Sequence, residues 1–343
     1  MTIRSACLTA YDYPSALSLR HADIDICLVG DSMANVALGH SSTQSLTLEA
    51  TIHHCQAVHR GLFSPLLSIS PNIPGAPLLI ADVPFGSFQT SAEEGVRSAV
   101  RLLKEGGVDG VKIEGGQEIL PLVKRLTQFG IPVMGHLGLQ PQRVSSSGGY
   151  RLQGRTADEA SEILRDALAL QEAGVFGIVL ECIPNKIGEL ISQRLDVVTI
   201  GIGAGPMTDG QILVTNDMLG EITSPWHVVN GLEPPTASTN IASTAASFQR
   251  LPRLQAPAPQ GPKFVRNFVA ALEEGGGSSS GPASTHVGIG AMRMAAIEAY
   301  VAAVRQRSFP DPDREGYKMQ SKELNEFRRR IAEDEGKAEH RGS

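Results

Sequence analysis

Gly110-Val111-Lys112-Ile113-Glu114-Gly115-Gly116 compresses a strand, a charge pair and a turn into one short stretch. Val111 and Ile113 are β-branched and suit a pleated chain. Lys112 and Glu114 are two apart, so on a strand both face the same side. The same pattern recurs along the chain, as apolar runs at Ala6–Ala10, Ile26–Gly30, Pro77–Ala81, Gly110–Ile113, Ile131–Gly135, Phe176–Leu180, Val197–Gly201 and Gln211–Val214. None alternates strictly, which fits strands buried on both faces of a parallel sheet. Amphipathic stretches separate them. Ser91–Glu105 places Val96, Val100 and Leu103 on one face, and Ala157–Ala173 places Ala160, Ile163, Leu164, Ala167 and Leu170 on another. Eight units over residues 5–220 give about 27 residues each, close to the roughly 31 of a typical (β/α)8 barrel. The spacing therefore predicts an α/β chain folded as a TIM barrel, in preference to an open doubly wound sheet.

Composition narrows the function. The net charge is −6, so no basic field exists to gather nucleic acid. No apolar run approaches the ~18 residues that would span a bilayer, and no membrane partner is expected. The four cysteines, Cys7, Cys27, Cys55 and Cys182, form no CxxC pair and no disulfide framework, which points to a reducing, intracellular compartment. Met1–Arg4 runs straight into an apolar segment without a secretory or transit signal. A cytoplasmic protein is expected, with the mitochondrial matrix as the alternative if residues are missing before Met1.

Residues 1–220 form the expected barrel core. Residues 221–262 are rich in Ser, Thr, Ala and Pro and read as an inserted loop, and Leu62–Gly75 reads as a shorter one. Residues 263–310 are expected to add helices that complete the barrel, at Lys263–Glu273 and Ile289–Arg307, joined through a flexible Gly/Ser linker at 275–284. In the second helix the expected packed side carries Met292, Ala295, Ala296, Ala299, Ala303 and Val304. Residues 311–343 read as a charged, solvated tail.

Barrel enzymes place their chemistry at the carboxyl ends of the strands. Here those ends carry Asp31-Ser32, Asp82, Lys112 with Glu114, His136 and Glu181. A single acid at a strand end is most simply a cap or a solvated loop residue; five successive strands delivering ionisable groups to one mouth is a site. Asp31, Asp82 and Glu114 are the metal candidates, because an all-oxygen set selects a hard cation such as Mg2+. Lys112 offers charge to a substrate carboxylate or enolate, and an ion pair with one of these acids is a compatible reading. Glu181 is flanked by Leu180, Cys182 and Ile183, surroundings that bring a carboxylate towards the range of a working base. His136 is a candidate to polarise a carbonyl or orient a ligand. His53 and His54 lie far from any strand end and read as structural. Gly201-Ile202-Gly203-Ala204-Gly205 lacks the following acid of a dinucleotide site and reads as backbone making room for a bulky ligand.

The blocks LTAYDYPSA (from Leu8), LVGDSMANVALGH (Leu28), ADVPFGSF (Ala81), VKIEGG (Val111), GHLGLQPQ (Gly135), GGYRLQGR (Gly148), LECIP (Leu180) and GIGAGPMTDGQILV (Gly201) resemble, in this order, the ketopantoate hydroxymethyltransferase family. The resemblance implies a barrel of the phosphoenolpyruvate/pyruvate superfamily and a homo-oligomer. It also implies Mg2+, 5,10-methylenetetrahydrofolate as co-substrate, and one-carbon transfer to 3-methyl-2-oxobutanoate on the way to pantothenate. Carried onto the matching motifs, it makes Asp31, Asp82 and Glu114 the metal site. Asp31, Ser32, Asp82 and Lys112 then contact the keto acid, and Glu181 is the proton acceptor. Two other readings stand beside it. A Mg2+-dependent C–C lyase of the same superfamily is disfavoured by the KIEGG and LECIP blocks. A catalytically impaired homologue acting as a binding subunit is disfavoured by the intact acids.

Overall fold

The computed structural model describes residues 4–68, 74–143, 151–221 and 289–341. Eight strands close into one parallel barrel in sequence order: β1 (Ser5–Thr9), β2 (Ile26–Val29), β3 (Leu78–Asp82), β4 (Gly110–Glu114), β5 (Val133–Gly138), β6 (Gly177–Glu181), β7 (Val198–Ile202) and β8 (Gly210–Leu213). Closure pairs Ser5 with Gly210 and Leu8 with Leu213 across the β1–β8 seam. The helices on the outside include α1 (Tyr13–His21), α2 (Met33–Val36), α3 (Leu48–Leu62), α4 (Pro65–Ser68), α5 (Ala92–Arg101) and α6 (Leu120–Gln128). They continue with α7 (Ala157–Glu172), α8 (Asn185–Ser192), α9 (Thr215–Met218), α10 (Ile289–Arg305) and α11 (Ser321–Arg341). The expected insertion after Glu221, the Lys263–Glu273 helix and the Gly/Ser linker lie outside the described residues.

The two faces of each strand explain why the apolar runs did not alternate. Outward residues such as Leu8, Cys27, Val29, Leu79, Val111, Ile113, Ile178 and Leu180 join the layer under the helices. Inward residues Cys7, Ile26, Leu28, Ile80, Met134, Val179, Ile200 and Ile212 fill the barrel as a separate apolar plug. Asp82, His136 and Glu181 each stand two residues beyond a plug residue (Ile80, Met134, Val179), so alternation carries them inward as well, one layer nearer the mouth.

Helix starts are written locally. Asp12 and Ser15 form a capping box on α1, Thr156 and Glu159 form one on α7, and Ser91 accepts from the Glu94 N–H at α5. The helix expected over Ser91–Glu105 is α5 followed by a π turn over Leu102–Gly106. Its buried side is Gly95, Ser98, Ala99 and Leu102, while Val100 is exposed. Small residues face α6 because a Cβ at Gly95 would meet Leu122 Cδ2 at 2.6 Å.

The C-terminal helices depart from expectation. In α10 the buried side is Ile297, Tyr300, Val301 and Val304, whereas Met292 and Ala299 are exposed. An alanine-rich helix carries little periodicity, and the large residues decide. The Tyr300 hydroxyl reaches Cys7 O at 3.0 Å and Gln211 O at 2.8 Å, so one side chain grips both strands of the closing seam. Tyr300→Phe should cost about 1–2 kcal/mol through the lost donor to buried carbonyls, read as a lower urea midpoint.

The charged tail is not simply solvated. In α11 Phe327 is fully buried and Ile331 nearly so, packed with α7. Glu323 Oε2 accepts from Ala157 N at 2.8 Å and Arg330 pairs with Asp158, which satisfies the first turn of α7. Two apolar side chains among charges, Phe327 and Ile331, with Glu323 and Arg330 at the edge, dock the helix.

Candidate active site

All seven residues expected at the strand ends meet at one mouth. They line a cavity of about 430 Å³ together with Leu28, Val179, Ile202 and Ile212, and with the polar residues Asn35, Ser41, Thr43 and Asp217. The size is within the range of small-molecule pockets. Strand register does the assembly: Asp82 lies beside Lys112, Glu114 beside His136, and Gly138 beside Glu181.

Lys112 is the centre of the floor. Its Nζ is 2.7 Å from Asp82 Oδ1 and 3.0 Å from His136 Nδ1. Asp82 Oδ2 accepts from the Asp31 N–H at 2.9 Å, which ties β2 to β3. Burial lowers the Lys112 pKa, but Asp82, Glu114 and Asp31 together outweigh it and hold the ammonium charged. Burial pushes the Asp31 carboxyl well above its ordinary range, and the charges of Asp82 and Glu114 push the same way. Burial acts on Glu114 too, yet contact with His136 and Lys112 leaves it below the usual carboxylate value.

His136 bridges two acids. Its Nδ1 is 3.4 Å from Glu114 Oε1 and its Nε2 is 3.1 Å from Glu181 Oε2. Burial and Lys112 lower its pKa; Glu114 and Glu181 outweigh them and raise it to about 9. Glu181 keeps 17% of its side-chain surface against 2% for Asp82 and Glu114, so it is the acid that faces the open cavity. The backbone turns sharply past it. Cys182 sits at φ +48°, a left-handed conformation that disfavours any side chain, and its N–H donates to Ile202 O at 2.9 Å. Gly138 is required opposite, since a Cβ there would meet the Glu181 carbonyl at 2.1 Å.

Ser32 lines the cavity directly, and behind it the hydroxyl of buried Tyr11 is 2.7 Å from Ser32 Oγ. His54 Nδ1 is 2.6 Å from Tyr11 O, so this histidine is structural, as expected, and supports the site from behind. The 201–205 loop differs from its reading. Only Ile202 lines the cavity; at Gly201, Gly203 and Gly205 a Cβ would meet Thr208, Tyr317 and Asn185 instead. These glycines let the loop pack on its own protein and are not clearance for a ligand.

Sequence reasoning passed over Tyr11 and Gln142. Both stand in quoted blocks, LTAYDYPSA and GHLGLQPQ; Tyr11 lies two residues past β1 but bears no charge, and Gln142 is uncharged and four residues past β5. Gln142, in a 3₁₀ turn after β5, is 2% exposed and hydrogen-bonds Glu114 and Asp31.

The floor fits a hard divalent cation. Its donors are carboxylate oxygens, and the neighbours of the buried Asp82 Oδ1 and Glu114 Oε1 are cationic side chains, Lys112 at 2.7 Å and His136 at 3.4 Å. Among the described residues no three His, Cys, Asp or Glu side chains already enclose a metal position. Asp31, Asp82 and Glu114 would suit an ion that takes one or two carboxylates directly, the remainder through water, and keeps room in its shell for substrate.

Comparison with known proteins agrees with the blocks. The model of the ketopantoate hydroxymethyltransferase family matches residues 2–233. A 3-methyl-2-oxobutanoate hydroxymethyltransferase of Moorella thermoacetica is 51% identical over 217 residues, 63% of this chain and 76% of its own length. That of Heliobacterium modesticaldum is 48% identical over 213 residues, 62% and 73%. The mitochondrial enzyme 1 of Oryza sativa subsp. japonica is 47% identical over 221 residues, 64% of this chain and 57% of its own length. Among solved structures, phosphonopyruvate hydrolase complexed with oxalate and Mg2+ is 13% identical, covering 72% of this chain and 92% of that one at a TM-score of 0.44. 2,3-Dimethylmalate lyase is 17% identical, with coverage of 80% and 92% at 0.42. No described helix is long and apolar enough to cross a membrane. On the family match and these relatives, the chain belongs to the ketopantoate hydroxymethyltransferase family of enzymes.

Proposed function

We propose that the protein is a Mg2+-dependent 3-methyl-2-oxobutanoate hydroxymethyltransferase that takes its one-carbon unit from 5,10-methylenetetrahydrofolate and forms 2-dehydropantoate for pantothenate synthesis. One observation carries this reading: a charged floor of Asp31, Asp82 and Lys112 and the half-open carboxylate of Glu181 share a cavity walled by Leu28, Val179, Ile202 and Ile212. The floor suits the carboxylate and keto oxygens of a 2-oxo acid, with Lys112 as the cation and Ser32 as a hydroxyl donor. The wall suits its branched alkyl end. The polar lining residues Asn35, Ser41, Thr43 and Asp217 would meet the pterin of the folate.

Asp31, Asp82 and Glu114 would hold Mg2+, which supplies Lewis-acid polarisation of the keto oxygen and so acidifies the neighbouring C–H. Glu181 takes that proton, while His136 fixes the carboxylate through Oε2. The branched carbon then attacks the folate methylene carbon. Water completes the hydroxymethyl group and tetrahydrofolate leaves. The water-poor floor strengthens Lys112 against the charge that develops.

The test is turnover. The purified protein, given keto acid and methylenetetrahydrofolate, should release 2-dehydropantoate by NMR; chelation should stop the reaction and added Mg2+ restore it. Absence of turnover, or undiminished turnover in excess chelator, would sink the respective part of the reading. Cleavage of a 2-hydroxy acid instead would assign lyase chemistry.

A further inference from the structure

Gln142 touches neither the open cavity nor any atom that reacts, yet it joins four segments of the mouth. Its backbone N–H donates to Glu114 Oε2 at 3.1 Å. Its side-chain Nε2 donates to Asp31 Oδ2 at 3.0 Å and to Val83 O at 3.1 Å. Its own carbonyl accepts from Gln44 Nε2 at 2.7 Å, from the 3₁₀ turn Thr43–Ser45. Both amide hydrogens are committed to oxygen acceptors, one a carboxylate. Turning the amide over would set Oε1 against Asp31 and the Val83 carbonyl, so the network fixes its orientation.

Asp31 needs such a hold. It is buried, with Asp82 and Glu114 as like-charged neighbours. A carboxylate so placed relaxes by rotating away from its neighbours, which removes it as a ligand. A neutral amide that captures Oδ2 sets the direction of the group without adding charge, and the Gln142 backbone does the same for Glu114 Oε2.

We infer that Gln142 is a positioning residue that pre-sets Asp31 and Glu114 as ligands of a divalent cation. The inference rests on the metal-dependent reading above and adds a residue to it. Partners of this kind, one step behind a metal ligand, typically change affinity or activity 10–100-fold when lost.

The test uses the full chain and Mn2+ as a probe, with free Mn2+ followed by EPR in the absence of both substrates. Gln142→Met keeps the length of the side chain and both backbone contacts and removes only the Nε2 donations. Its Mn2+ affinity should fall about 10–100-fold while the thermal midpoint stays within about 5 °C. Gln142→Asn, whose amide is drawn back from Asp31, should fall comparably. In the background of Asp31→Asn, adding Gln142→Met should weaken binding by less than about threefold, because the two act through one ligand. Wild-type affinity in both Gln142 variants, or full additivity with Asp31→Asn, would overturn the inference. Collapse of both variants would make Gln142 a structural staple and overturn it too. A wild-type protein that binds neither Mn2+ nor Mg2+ refutes the metal reading itself, and that titration is separate from every variant.

Discussion

Glu181→Gln should slow exchange of the branched-carbon hydrogen of 3-methyl-2-oxobutanoate in deuterated water by a factor on the order of 10²–10⁴, the usual worth of a positioned general base. The substitution keeps shape and retains an oxygen for His136 Nε2, now 3.1 Å from Glu181 Oε2. On the proposed reading the keto acid is held by the floor, so affinity should move by less than about tenfold, or ~1.4 kcal/mol. NMR without folate isolates the proton step. Full exchange with lost affinity would make Glu181 a binding residue. Full exchange with unchanged affinity would pass the role to another group, and His136 is the first to test because it also lines the cavity.

Lys112→Met is expected to destabilise the fold by about 3–5 kcal/mol, the range for breaking a buried ion pair from one side. Methionine fills the same space without charge. Asp31, Asp82 and Glu114 are 2–4% exposed and would lose the ammonium 2.7 Å from Asp82. Urea unfolding reads the loss, and on the proposed metal reading Mg2+ should return part of it by binding the folded state alone. A change below about 1 kcal/mol would mean that the floor acids carry protons rather than charge, and that Lys112 is not their counter-ion.

Much of this was readable from residues because the barrel imposes local rules. Strands covered on both faces need runs of Val, Ile and Leu, and each of the eight runs falls on an observed strand. The ends were less legible. The run expected at Ile131–Gly135 is displaced to Val133–Gly138, because pairing with β6 carries the strand on through His136 and Leu137. Apolar character alone stops at the charge, whereas the ladder does not. The gathering of Asp31, Asp82, Lys112, Glu114, His136 and Glu181 was legible from their place at strand ends. An ion pair of Lys112 with one of the acids was legible too, but not which one, since that depends on the stagger between neighbours: Lys112 could not be seen beside both Asp82 and His136 until register was known. Gln142 escaped because a loop residue bearing no charge has no period and no motif of its own. Phe327 escaped because composition averages over a segment, while docking needs large side chains in the right places.

The grip of Tyr300 on Cys7 and Gln211 also bears on how the chain is made. The β1–β8 seam joins segments about two hundred residues apart, and its clasp arrives only with α10. Until then a growing chain holds a sheet whose two edges must find each other without that clasp. Open strand edges recruit foreign strands as readily as native ones. Long-range closure of this kind is slow. The helix that locks the seam thus sets how late in synthesis the barrel becomes safe from misassembly.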